Sequence, residues 1–283
     1  MKKYINKIIP GDALGVLKKI DDNFVDLGIT SPPYNKGGKH KGWLVNNVTY
    51  NIASDNIPEG VYQEQQIKVL DEIFRVTKPG GSFFYNHKTR WTRGIMLHPI
   101  AWIQKTKWTM RQEIIWDRII AANIRGWRFW QIDERIYWLY KPIDNNKIGE
   151  ELKSRHALLT SIWRFPPERK NGHPAPFPLV LPTRIIYSIL DGKKGIILDP
   201  YVGSGTTCLA AKLLGSNYIG IDISREYAKD AETRLKNYLN YKKIVDDETA
   251  KHIVEKTFAD RKNSNGNTGK YRNGKLPSQS SFL

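Results

Sequence analysis

Two stretches of this chain carry residue types able to do chemistry. The first is Ser31-Pro32-Pro33-Tyr34, which follows an apolar run over residues 24–30 that reads as a short buried strand. Neither proline can donate to a ladder and each fixes its φ, so the strand stops in a stiff loop. A hydroxyl, rigid backbone carbonyls and an aromatic ring are thereby held together at a strand's carboxyl end, where open α/β sheets bind ligands. A plain strand-ending turn with a surface tyrosine is the alternative for this stretch alone.

The second stretch is Asp199-Pro200-Tyr201-Val202-Gly203-Ser204-Gly205-Thr206-Thr207, set between an apolar strand at 195–198 and a helix from Cys208 to Leu214. Its glycines let a ligand approach the backbone, and the helix start presents unpaired N–H groups. A Walker A loop would need Gly-Lys before the hydroxyl residue, and here Thr206 follows Gly205 directly. The G-x-G-x-x-G dinucleotide spacing is also missing. Asp222 closes the next strand, where a carboxylate commonly accepts from ribose hydroxyls. A ribose-bearing cofactor without a required phosphate fits this series best.

Alternating strands and helices must position these loops. Strands are expected at 4–9, 24–30, 82–85, 112–116, 134–140, 195–198 and 217–221, and helices after Ala13 and over 61–76, 96–105, 182–190, 208–214 and 225–239. Residues 35–60 and 141–172 read as irregular. Arg125, Trp127, Arg128 and Trp130 interleave cations with large rings, which suits phosphate contact and base stacking. It equally suits a packed aromatic cluster with its arginines reaching outward. A tail from about residue 241 is expected to hold one more helix, capped by Asp246 or Asp247, and to be disordered from Asn263 onward.

Composition narrows the function classes. The 283 residues carry a formal net charge of +17, which favours a polyanionic partner, most simply nucleic acid. The single cysteine, Cys208, allows no internal disulfide and no cysteine-rich zinc site, and no His/Cys/Asp cluster suggests a metal. The few apolar residues before Pro10 are too short for a signal peptide, and no run reaches membrane-span length, so the cytoplasm is the expected compartment.

Taken together, these motifs resemble the amino-group DNA methyltransferases. Ser31-Pro32-Pro33-Tyr34 resembles their (D/N/S)-P-P-(Y/F/W) catalytic signature, and the stretch from Asp199 to Thr207 resembles their S-adenosylmethionine loop. Asp222 matches the acidic residue at the ribose, and Gly11-Asp12-Ala13 the segment near the cofactor adenine. His173 and Pro174 begin a segment similar to the one closing over the methionine moiety. The catalytic motif precedes the cofactor loop, an order that resembles the beta group of the family.

The resemblance implies a Rossmann-like α/β methyltransferase fold with a mostly parallel, seven-stranded, permuted sheet over residues 1–240. Target recognition would fall near 36–60 and 118–172, with a basic tail over 241–283. It implies S-adenosyl-L-methionine as cofactor. The cofactor contacts would be Asp12, Ala13, His173, Pro174, Asp199, Pro200, Gly203, Ser204, Gly205, Thr206 and Asp222, with Ser31, Pro32, Pro33 and Tyr34 catalytic. Double-stranded DNA is the implied substrate, contacted by Lys36, Lys39, Lys41, Arg125, Trp127, Arg128 and Trp130. A cognate restriction endonuclease is a further implied partner.

Exocyclic amines are poor nucleophiles because their lone pair is delocalised into the ring. The Ser31 side chain and the Pro32 carbonyl supply acceptors for the N–H bonds, while Tyr34 stacks on a base flipped out of the duplex. Serine in the first motif position resembles the cytosine-N4 enzymes of the family, which implies cytosine N4 as the target, with adenine N6 as the alternative. An RNA or protein amide methyltransferase and a noncatalytic nucleic-acid-binding module are the rival classes.

Overall fold

The computed structural model describes residues 2–35, 57–121, 126–144, 160–168 and 177–251. Lys36, Lys39, Lys41, Arg125, His173, Pro174 and the stretch from Asn263 onward lie outside them.

The central strands are β2 (Val25–Thr30) and β9 (Ile196–Asp199), which pair in parallel. Both are apolar along most of their length because helices cover both faces of the sheet. From β9 the chain passes through α5 (Thr206–Leu213) to β10 (Asn217–Asp222), on one side. From β2 it passes through α2 (Glu59–Val76) to β3 (Thr77–His87), on the other. The winding direction therefore reverses between β9 and β2. Such a switch point opens a crevice at the carboxyl ends of the two strands. Both candidate motifs leave their strands there.

The sheet is completed by β1 (Lys7–Pro10) at one edge and by β7 (Asp133–Tyr140), β6 (Thr109–Asp117) and β8 (Ile162–Arg164) at the other. Among the described residues it has eight strands, in the order β1-β10-β9-β2-β3-β7-β6-β8. β7 runs antiparallel to both β3 and β6. The expected seven-strand count falls short by β8, which lies in the stretch read as irregular. Only three residues form it, and its buried Trp163 donates its indole N–H to the Thr160 carbonyl, a pairing with no periodic signal.

A second departure is at 96–105, expected as one helix. It is a two-stranded ribbon of β4 (Arg90–Thr92) and β5 (Ile95–Leu97), then the short helix α3 (Ile100–Ile103). Pro99 explains the break, since it sits at the N-cap where its missing N–H costs nothing. β3 starts earlier than the strand expected at 82–85: Thr77–Gly81 already belong to it, with a register shift between Val25 and Leu27 of β2 and Gly80 at φ 81°.

Two cores flank the sheet. On one face α1 (Ala13–Leu17), α2 and α3 bury Leu17, Leu70, Ile73 and Trp102. On the other, α4 (Val180–Leu190), α5 and α6 (Arg225–Lys236) bury Ile185, Leu209 and Ala231. The last helix, α7 (Lys242–Lys251), starts before the expected caps. Asp246 and Asp247 instead pair with Lys242 and Lys243 one turn back. Its buried Val245 and the Arg184–Glu248 ion pair (2.7 Å) carry packing past the expected boundary at 240. No described helix is long and apolar enough to cross a membrane.

Candidate active site

The loop after β9 is organised from beneath by Asp199, which is fully buried. Its carboxylate accepts from Thr30 Oγ1 (2.6 Å), Thr207 Oγ1 (2.6 Å) and the Tyr201 N–H (3.1 Å). Burial pushes the carboxyl up to about 6, against the pull of these three donors. Thr30 is the last residue of β2, so this bond ties the start of one motif to the start of the other. Asp199, expected as a cofactor contact, is enclosed and shapes the loop from inside.

Asp222 ends β10 and accepts from Gly203 N–H (2.9 Å) and Ser224 N–H (2.8 Å). Burial raises its pKa, and the two backbone donors oppose that. A carboxylate offers about four acceptor positions, which leaves capacity for hydroxyls of a ligand. Gly11 N–H donates to the Asp222 carbonyl (2.8 Å), which brings the Gly11-Asp12-Ala13 turn beside it. Asp12 caps α1 by accepting from the Gly15 N–H (2.8 Å). Ala13 is buried.

The two glycines have separate reasons. Gly203 has φ 48° and offers its N–H to Asp222. Gly205 has φ 80°, and a Cβ there would lie 2.9 Å from the Ala231 Cβ, so it is required for α6 to pack. Ser204 and Thr206 turn their hydroxyls toward Arg234, whose Nη1 donates to Thr206 Oγ1 (2.7 Å), Ser204 Oγ (3.3 Å) and the Ser204 carbonyl (3.2 Å). Arg234 is thus a clamp on the loop that sequence reasoning missed. Nothing local marks it, because it stands on α6, beyond the motif and the next strand. Pro200 lies between Asp199 and the Tyr201 N–H, in the bend those two residues close.

The loop after β2 is held by side chains. The Pro33 carbonyl accepts from Tyr62 Oη (2.9 Å), and Tyr62 Oη also meets His87 Nε2 (2.7 Å). His87 Nδ1 lies 2.8 Å from the Lys88 carbonyl and so carries a proton. Asn35 exchanges two hydrogen bonds with Ile57, each 2.9 Å. Pro32 is buried, and among the described residues nothing donates to its carbonyl. Tyr34 is buried rather than a surface ring, with its centroid 4.5 Å from that of His87.

The hydroxyls of this loop enter a polar cluster. Ser31 Oγ and Tyr34 Oη are 2.6 Å apart, and Tyr34 Oη donates to Glu134 Oε2 (3.0 Å). Asn86 Nδ2 faces Tyr34 Oη (2.9 Å), Glu134 Oε2 (3.0 Å) and Ser31 Oγ (3.3 Å). Arg118 Nη1 donates to Glu134 Oε1 (3.0 Å). Asn86, Glu134 and Arg118 were not foreseen. They stand far along the chain from Ser31, and only the pairing of β2, β3, β7 and β6 gathers them.

Of the residues expected to touch nucleic acid, Trp127, Arg128 and Trp130 lie in the β6–β7 connection. Trp127 and Trp130 are exposed, as is Phe129 beside them at 98%. Arg128 lies over the Trp91 ring (4.1 Å), linking this segment to the β4–β5 ribbon. Exposure excludes the packed-core reading of these rings. Among the described residues no group of His, Cys, Asp and Glu could hold a metal ion.

Known proteins and a family model resemble this chain. A family model described as DNA methylase, for N6 and N4 methyltransferases, matches residues 25–233. The type II methyltransferase M.BglII of Bacillus subtilis is 27% identical, the match covering 80% of this chain and 68% of the relative. The DNA adenine methyltransferase YhdJ of Escherichia coli K12 is 29% identical, covering 81% of this chain and 82% of that protein. Among solved structures, a DNA modification methylase of Thermus thermophilus, in complex with S-adenosyl-L-methionine, superposes with a TM-score of 0.60 at 26% identity. That alignment covers 82% of this chain and 94% of the other. The fold is the Rossmann-like methyltransferase fold, and the chain belongs to the N6/N4 family of DNA methylases.

Proposed function

We propose that this protein transfers a methyl group from S-adenosyl-L-methionine to an exocyclic amine of duplex DNA, and that the amine is cytosine N4. The observation that carries the reading is the Thr30–Asp199 bond. It places the end of the strand bearing Ser31-Pro32-Pro33-Tyr34 against the start of the glycine loop, so acceptor and donor sites share one crevice. Asp222 would accept from the ribose, with Asp12 and Ala13 near the adenine. The backbone of residues 200–206 would line the cofactor, and His173 and Pro174 would close over its methionine end. The cofactor supplies an electrophilic methyl on a sulfonium.

This chain's own part is to hold the amine and take its proton. Ser31 Oγ and the Pro32 carbonyl serve as fixed acceptors, so little reorganisation is needed as charge develops. Stacking of the flipped base on Tyr34 would recover about 1–3 kcal/mol of the flipping cost. Recognition is assigned to 36–60 and 118–172, with Lys36, Lys39, Lys41, Arg125, Trp127, Arg128 and Trp130 on the DNA. Type II relatives support a restriction endonuclease acting on the same site, and a DNA substrate supports a cytoplasmic location.

Adenine N6 is the second reading, favoured by the relative named as an adenine enzyme. Methylation-aware sequencing of DNA from an expressing host tests both: 4-methylcytosine in one sequence context is expected, and 6-methyladenine would replace it under the second reading. Incorporation of labelled methyl into RNA or protein but not DNA would overturn the proposal. Failure to bind the cofactor would point to a noncatalytic module.

A further inference from the structure

We infer that Glu134 is the terminal proton acceptor of the site and sets the direction of its hydrogen bonds, through a chain Ser31–Tyr34–Glu134. The inference rests on the amine-methylation reading above.

The direction follows from counting protons. An ionised carboxylate only accepts, so the single proton of Tyr34 Oη points at Glu134 Oε2, 3.0 Å away. Asn86 must present its Nδ2 to this cluster, since its carbonyl oxygen would face the carboxylate. It therefore gives protons to the cluster and accepts none. The 2.6 Å contact between Ser31 and Tyr34 then has one solution: Ser31 Oγ–H donates to Tyr34 Oη. Ser31 is left with lone-pair capacity, which is what an amine N–H requires of its partner. A serine free to rotate could instead present its proton to the amine and compete for the nitrogen lone pair. Arg118 Nη1 donates to the other oxygen, Oε1, at 3.0 Å, so both carboxylate oxygens of Glu134 accept.

The same chain can carry the released proton. As the amine nitrogen bonds to the methyl carbon, the carbon–sulfur bond breaks with its electron pair going to sulfur, and the sulfonium becomes a thioether. The nitrogen now carries a positive charge and is strongly acidic, because the ring reclaims the lone pair on deprotonation. Its proton passes to Ser31 Oγ, the Ser31 proton to Tyr34 Oη, and the Tyr34 proton to Glu134 Oε2. Each hydroxyl gains one proton and loses one. The net change is a neutral methylated amine and a protonated Glu134. The relay requires a hydroxyl at position 34, whereas the family signature also accepts phenylalanine or tryptophan. It is therefore a property of this chain rather than of the motif.

The test is single-turnover methylation of a duplex bearing the sequence modified in the expressing host, with DNA and cofactor affinities measured separately. Positioned acid–base groups contribute about 10²–10⁴-fold, so Glu134→Gln is expected to slow the chemical step about 100-fold with both affinities nearly unchanged. Tyr34→Phe keeps the ring and leaves the Glu134–Arg118 pair intact, so it tests the relay even if Glu134→Gln fails to fold. It should slow the step to a similar degree. The double variant should be no slower than either single one, since residues acting as a unit are non-additive. A Tyr34→Phe protein within about threefold of wild type, or losses that multiply in the double variant, would overturn the relay alone. A wild-type protein that leaves DNA unmethylated would overturn the functional reading, and the relay with it.

Discussion

The loop after β9 and the loop after β2 leave adjacent strands but are stiffened by different means. The first is braced mostly from the stretch that follows it: Asp199 binds Tyr201 and Thr207, Asp222 on β10 binds Gly203, and Arg234 on α6 clamps Ser204 and Thr206, with Thr30 the one contact from β2. The second depends on side chains from three remote places, with Tyr62 on α2, Asn86 on β3 and Glu134 on β7. A loop braced mostly from one contiguous stretch of chain keeps its shape as that stretch folds and suits an unchanging ligand. A loop braced from a distance can be tuned by residues outside the motif, which suits the side of the crevice that must fit a particular acceptor.

The strongest way to break this contrast is Ser31→Ala. Removing a positioned acceptor costs on the order of 10²–10³ in the methylation rate, while cofactor affinity by calorimetry should stay within about twofold. An equal loss of both would mean that the two loops are one unit.

The second test uses pH. Asp199 has a folded pKa of about 6 against an ordinary value of 3.8. Stability from its neutral form is fully present below about pH 4 and is lost as pH rises through about 6, a span worth roughly 3 kcal/mol. Asp199→Asn removes this titration. Its melting temperature relative to wild type should therefore climb between pH 4 and pH 8, whatever constant offset the lost hydrogen bonds impose. A flat difference would show that the carboxylate is fully compensated.

A smaller effect is expected at Asp222. Its alanine variant should weaken cofactor binding by about 2 kcal/mol, on the scale of hydrogen bonds to charged groups, and leave DNA affinity unchanged. The smallest is Arg128→Ala. If Arg128 neutralises one phosphate, the slope of log affinity against log salt should become shallower by about 0.9. An unchanged slope would move the DNA contact elsewhere.

The contrast also explains what could be read in advance. The strands β2 and β9 are short apolar runs cut off by proline, β10 ends in Asp222, and the loops carry the motifs, so the crevice was legible from local pattern. The ribbon at 90–97 was not, because Ile95, Met96, Leu97, Ile100 and Ile103 mimic a helical stripe until Pro99 interrupts it. Glu134 read only as part of a strand, since a buried acidic residue acquires meaning from strand pairing, which composition does not encode. Arg234 was hidden for the same reason: an arginine on an amphipathic helix looks solvated until the loop it clamps is known.

The position of β1 carries a consequence for how such a protein can be written as a gene. β1, the first described strand, pairs with β10, the last described one, with Lys7 opposite Ile219 and Pro10 opposite Asp222. The path of the strands thus returns to the edge where it begins, while the sheet itself stays open between β1 and β8. A chain opened at another surface loop and joined ahead of β1 would keep every described strand neighbour. Which half of the site is translated first is then immaterial to the finished molecule, and a permuted gene should fold to the same crevice.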